Sequence, residues 1–295
     1  MSAAQGSEAL GVPVPERAGA QQAAPVLAIS KIGVLVLFLL AVANGVFLYF
    51  LPWLAENYYA WSIRPPINAA FLGAGYLAGA VVTGLSLFGA RYWRSIRGFI
   101  PGFFLLGATL FAATLIHADR FRWDYPLTWV WTIVYALIPP AAAMIWVVQE
   151  RAAGAAPARD ARLSTVRLGS WVLGAVVAVV GVLLYVFPDM FLQSWPWQIT
   201  PLLARAFAGW YLLVAAILLY GAAASREARE VPVPYITVVA WCVLLLLLPL
   251  LYSSSLRPDA GLLWPWVALH VVVMLFAGWA AVYAYTPARN EGQRL

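Results

Sequence analysis

Lys31 to Pro52 reads KIGVLVLFLLAVANGVFLYFLP, and Arg167 to Pro188 reads RLGSWVLGAVVAVVGVLLYVFP. Between a cation and a proline, each stretch offers about 20 apolar residues. That is enough for a helix rising 1.5 Å per residue to cross a hydrocarbon core of ~30 Å. The first run is longer than the core of a cleavable signal peptide, and no small-residue cleavage site follows it, so a first membrane helix is expected there. Set side by side at a shift of 136 (167 − 31), the stretches agree where apolar composition alone does not explain it. Lys31 meets Arg167, and Gly33, Gly45, Tyr49 and Pro52 meet Gly169, Gly181, Tyr185 and Pro188.

The register holds beyond these helices. Trp61, Ile63, Pro65, Phe71 and Gly73 fall on Trp197, Ile199, Pro201, Phe207 and Gly209. At a shift of 135 (257 − 122), Arg122-x-Asp124-x-x-Leu127-x-Trp129-x-Trp131 falls on Arg257-x-Asp259-x-x-Leu262-x-Trp264-x-Trp266. Paired Trp, Pro, Arg and Asp in connecting segments indicate an internal duplication.

Scanning outward, eight apolar runs are expected as spans, near 32–52, 67–89, 99–118, 127–149, 168–188, 201–224, 234–252 and 263–285. The chain has 64% hydrophobic and 10% charged residues. A soluble domain needs about 25% charged residues to face water, so lipid is the expected solvent. The fold class is an all-α membrane protein: eight transmembrane helices as two tandem parallel four-helix repeats. An even number of spans per copy inserts both copies in the same sense, related by a pseudo-two-fold axis along the membrane normal. The expected organisation is a disordered tail over 1–30, a first repeat over 31–150, a linker over 151–166, a second repeat over 167–286 and a short tail over 287–295.

Orientation follows from the cations of alternate loops. One side carries Arg17, Lys31, Arg91, Arg94, Arg97, Arg151, Arg159, Arg162, Arg167, Arg226, Arg229, Arg289 and Arg294. The other carries Arg64, Arg120, Arg122 and Arg257. Thirteen against four places both termini in the cytoplasm. A single lysine among 18 cations, with abundant alanine, suggests a GC-rich bacterial genome and hence the inner (plasma) membrane. The net charge of +6 is explained by topology, so no nucleic acid partner is implied.

Candidate site residues concentrate on the outer side. Arg205 lies a turn or two into the sixth span, where a cation is costly, with Asp189, Asp119 and Glu56 as partners within plausible reach. His117 ends the third span, and His270 lies two turns into the eighth, so joint ligation of one haem or metal is geometrically conceivable. Trp61 and Trp197 stand in aromatic outer loops that read as an interfacial belt, or as a lid over a cavity between the halves. Arg122 with Asp124, and Arg257 with Asp259, read as structural pairs in which the carboxylate caps the following helix. Gly75 and Gly79 form a small-residue face for close helix approach. Pro139-Pro140 should kink the fourth span.

No Walker loop, Gly-x-Ser-x-Gly, His-Glu-x-x-His or dinucleotide fingerprint is present. One cysteine, Cys242, permits no internal disulfide. No metal or cofactor is implied, and the acids read as loop residues, leaving no carboxylate within the spans for a proton relay. The function expected is non-catalytic: binding of a lipid or small apolar ligand in an outer-face groove between the halves, or service as a membrane subunit of a larger assembly. The alternatives are a transporter of an apolar or amphiphilic solute and a membrane enzyme with an outer-face site at His117, Asp119 and Arg205. The bilayer itself, and other membrane subunits, are the partners expected.

Overall fold

The computed structural model describes residues 26, 28–89 and 92–286. Eight long helices run along it: α1 Ala28–Phe50, α2 Pro66–Gly84, α3 Ile100–Ile116, α4 Pro126–Ala152, α5 Ser164–Val186, α6 Pro201–Ala224, α7 Pro232–Leu251 and α8 Leu263–Tyr285. Each is long and apolar enough to cross a membrane. A proline opens α2, α4, α6 and α7, where its missing N–H has no intrahelical acceptor to serve. Every expected span has its helix, with ends displaced by a few residues.

The tails expected at 1–30 and 287–295 lie outside the described residues except at Val26 and Ala28–Ser30. The latter three already belong to α1. The expected linker contracts, because α4 runs on to Ala152 and α5 starts at Ser164. The segment between them is pinned by arginines. Arg94 donates to Ala155 O at 3.0 Å, Arg226 to Pro157 O at 3.1 Å and Arg159 to Ala223 O at 2.9 Å.

Four helix pairs pack as neighbours in sequence: α1 with α2, α3 with α4, α5 with α6, and α7 with α8. Across the middle, α3 packs on α6 and α2 on α7. At the centre the rings of Phe71 (α2) and Phe207 (α6) stack at 3.9 Å between centroids, 29° apart. Gly75 lets the Trp210 ring lie against α2; a Cβ there would stand 2.4 Å from the indole. Helix α6 is almost wholly buried, whereas α1, α4, α5 and α8 present large apolar side chains outward, among them Leu35, Leu39, Leu137, Trp171 and Leu275. Such a surface is stable in hydrocarbon and prone to association in water. The architecture is that of a multi-pass helical membrane protein.

The α1–α2 and α3–α4 loops fold back on each other as the α5–α6 and α7–α8 loops do. Trp61 pairs with Phe121, and Trp197 with Leu256, as isolated antiparallel bridges. Arg122 N donates to Ala60 O at 3.0 Å, and Arg257 N to Pro196 O at 2.8 Å. The Arg122 guanidinium holds the carbonyls of Glu56 and Asn57. That of Arg257 holds the carbonyl of Leu192 and the side chain of Gln193.

Candidate functional site

The outer tryptophans are core residues. Trp61 is 3% exposed and Trp197 fully buried, so both rings pack inside the protein rather than facing out as belt residues do. Loop burial depends on how the segment folds back, which the sequence pattern does not carry. Trp197 Nε1 donates to Asn68 Oδ1 at 2.8 Å, and Asn68 in turn donates to the carbonyls of Arg64 and Gln198. Trp61 packs edge-on against Trp131 at 4.8 Å, and its Nε1 finds no acceptor among the described residues. The position matching Asn68 is Ala204, which has no acceptor to offer. Beneath Trp61 the Tyr59 hydroxyl lies 3.3 Å from Asn44 Oδ1 and 3.4 Å from Tyr76 Oη, which is 2.5 Å from Tyr135 Oη. Burial pushes the Tyr59 phenol well above its ordinary range, so these hydroxyls act as neutral structural groups.

Arg205 Nη1 lies 2.8 Å from His117 Nε2. A guanidinium only donates, so Nε2 accepts and the ring is neutral. This differs from the expected acidic partners: Glu56 pairs with Arg64, Asp119 with Arg120, and Asp189 with no cation among the described residues. Partial burial, then the charge of Arg205, lowers the His117 pKa. The unfolded chain therefore binds a proton here more readily than the folded one. Stability should fall as pH drops through the free imidazole value of about 6.5, levelling once the folded ring protonates too. His117→Gln keeps an acceptor for Arg205 and is expected to flatten the melting-temperature slope between about pH 7 and 5. Equal slopes for the two proteins in detergent would refute this.

His270 belongs to a different environment. It is 1% exposed, its Nδ1 lies 2.7 Å from Trp266 O and its Nε2 3.2 Å from Tyr211 Oη, with the Trp266 ring at 4.2 Å. The two histidines thus have separate partners, and both nitrogens of His270 are engaged. No group of three metal-ligating side chains occurs among the described residues. Nor do Asp124 and Asp259 cap the following helices, which begin without a side-chain cap bond. Arg122 and Arg257 turn to backbone carbonyls instead of these carboxylates, because the folded-back loops bring carbonyl oxygens within reach.

The seam between the halves holds a void of about 20 Å³, lined by Gly75, Phe103, Trp210 and Trp241 among others, and a smaller one of about 10 Å³ beside Arg94, Gly98 and Tyr220. A larger space, of about 290 Å³, is a hollow between α1, α3 and α4 that is open on one side, where its lining residues Val36 and Leu137 are exposed. Gly33, Val36, Leu37 and Leu40 line one wall, Ile100 and Phe103 a second, and Val134 to Ile145 the third. No polar side chain lines it. An engineered apolar cavity of roughly 150 Å³ stays dry and takes benzene; the lining of this hollow is apolar in the same way. Helix α4 stays helical through Pro139-Pro140, and the alanines that follow leave the hollow open.

The comparable place in the other half is filled. Ala141 corresponds at the 135 shift to Phe276, whose ring comes so close to α5 that a Cβ on Gly169 would meet it at 2.3 Å. Ile100 corresponds to Tyr235, whose hydroxyl lies 2.5 Å from Ser170 Oγ. At Gly33 the nearest such atom, Ile145 Cδ1, is 3.8 Å away. Opposing Ala141 and Phe276 in the self-comparison could have revealed this difference.

A second feature missed in the sequence is ionic. Arg97, just before α3, reaches Glu230 Oε2 at 3.0 Å and Glu150 Oε1 at 3.5 Å, and lies over the Tyr220 ring. Trp93 Nε1 donates to Glu150 at 2.6 Å. Glu150 is thus not a loop acid but sits in the last turn of α4, while Glu230 lies in the connection before α7 yet is buried there.

The fold defines a multi-pass helical membrane protein with an apolar hollow between α1, α3 and α4. No family model, curated protein or solved structure matches the chain.

Proposed function

We propose that this chain is a duplicated four-helix membrane protein, inserted in a bacterial inner membrane with both ends cytoplasmic, that binds an apolar ligand non-catalytically. The cavity between α1, α3 and α4 is the observation that carries the reading. Duplication is supported by the stacking of matched Phe71 and Phe207, by the crossed packing of α2 on α7 and α3 on α6, and by the matched arginine–carbonyl loops. On this reading one copy kept a binding space while the other was filled by Phe276 and Tyr235.

The tight seam between the halves favours binding over transport along that seam. The outer-face enzymatic reading is weakened because Asp119 is paired with Arg120. Copying the filled half tests the proposal. Ala141→Phe is expected to raise stability by about 0.5–2 kcal/mol, as cavity filling does, and to abolish labelling of α1 and α4 by a diazirine-bearing hydrocarbon in nanodiscs. A more stable protein that still labels at residues 33–40 and 134–145 would defeat the reading.

A further inference from the structure

We infer that the cavity takes an acyl chain of an anionic phospholipid from the cytoplasmic leaflet, with its phosphate held by Lys31 and Arg151. This rests on the proposed orientation and on the cavity as the ligand site. Under that orientation residues 33–40 of α1 and 100–103 of α3 lie toward the cytoplasmic ends of their helices, and the lining from 134 to 145 straddles the middle of α4, so the hollow runs from the cytoplasmic side to mid-span. Val36 and Leu137 line the cavity and are 50% and 59% exposed. The hollow therefore opens sideways between α1 and α4 into the hydrocarbon, and a chain enters without crossing water.

At the cytoplasmic end the opening is closed. Gln149 Nε2 donates to Ser30 Oγ at 2.8 Å, both residues being buried. Lys31 follows Ser30 in the chain and Arg151 stands two residues beyond Gln149; both are exposed, and no carboxylate pairs with either among the described residues. An acyl chain below the Gln149–Ser30 bridge and two exposed cations at the same ends of α1 and α4 are complementary to an anionic lipid.

The other half supplies a built-in contrast. There the space is filled by Phe276, Arg167 in place of Lys31 is bonded to Asp160 O at 3.0 Å, and Thr286 stands in place of Arg151. Chain space and free cations occur together in one half and are lost together in the other.

The experiment uses the full chain in nanodiscs of equal phosphatidylglycerol and phosphatidylcholine, released gently and examined by native mass spectrometry. Wild type is expected to retain phosphatidylglycerol over phosphatidylcholine by on the order of tenfold, the scale two juxtamembrane cations supply. Lys31→Gln with Arg151→Gln should retain lipid without that preference, and Ala141→Phe should retain neither lipid. Wild type without a headgroup preference, or a preference that survives both glutamines, overturns the inference while leaving the cavity reading intact. Lipid retained undiminished by Ala141→Phe overturns both. The wild-type ratio needs no variant, so poor folding of one does not shield the inference.

Discussion

Replacing Glu230 with alanine is expected to cost about 3 kcal/mol of stability, the low end of the ~3–5 kcal/mol lost when one partner of a buried ion pair is removed. Arg97 and Glu230 have side chains 7% and 2% exposed, so the guanidinium left behind cannot regain water. The low end applies because Glu150 stays 3.5 Å from the same guanidinium. The residues involved tie the start of α3, the end of α4, the end of α6 and the start of α7, because Arg97 also donates to Ala224 O at 3.3 Å. Loss of the carboxylate should therefore loosen α3, α4, α6 and α7 together at this end of the bundle.

The exposed pair of Glu56 with Arg64 provides the contrast; Glu56→Ala should cost less than about 1 kcal/mol. A second contrast removes both charges. Arg97→Met with Glu230→Leu is expected to recover most of the loss, since the penalty comes from an unpaired buried charge rather than from missing attraction. Thermal unfolding in detergent decides it. If Glu230→Ala and Glu56→Ala melt alike, the cluster does not hold the halves together.

The sequence reading succeeded where physics acts on averages. Eight runs of about 20 apolar residues can only be helices in lipid, and their ends were close because prolines mark the helix starts at Pro66, Pro126, Pro201 and Pro232. It failed where a side chain's surroundings depend on chain reversal. Trp61 and Trp197 looked interfacial because they sit in loops, yet those loops fold inward over the core. Glu150 and Glu230 read as loop acids with no partner visible in the sequence, but Arg97, just before α3, comes from a distant part of the chain to meet both. Of the outer candidates, only Arg205 and His117 were brought together. The cavity was legible in principle, through Ala141 against Phe276, but only by reading the two halves for their differences.

Gly73→Ala should be the most damaging single methyl in the protein's interior, with a loss of about 1–3 kcal/mol or more from overpacking. A Cβ at Gly73 would lie 2.5 Å from Tyr49 N and 2.8 Å from Leu48 C. Those are backbone atoms of α1, and no rotamer change moves them. The helix as a whole would have to retreat from α2, and Tyr49, which donates to Leu244 O at 2.9 Å, would be drawn off α7 as well. In hydrocarbon there is no water-driven force to restore the contact, because helices associate there through packing itself. Gly79 lies on the same helix and also faces α1, but its nearest neighbour would be Ala41 Cβ at 3.8 Å, an ordinary contact. Gly79→Ala should therefore be neutral or gain the few tenths to about 1 kcal/mol by which alanine exceeds glycine in a helix. Melting midpoints that fall equally in the two variants would show that the close approach of α1 and α2 at Gly73 is not what holds them.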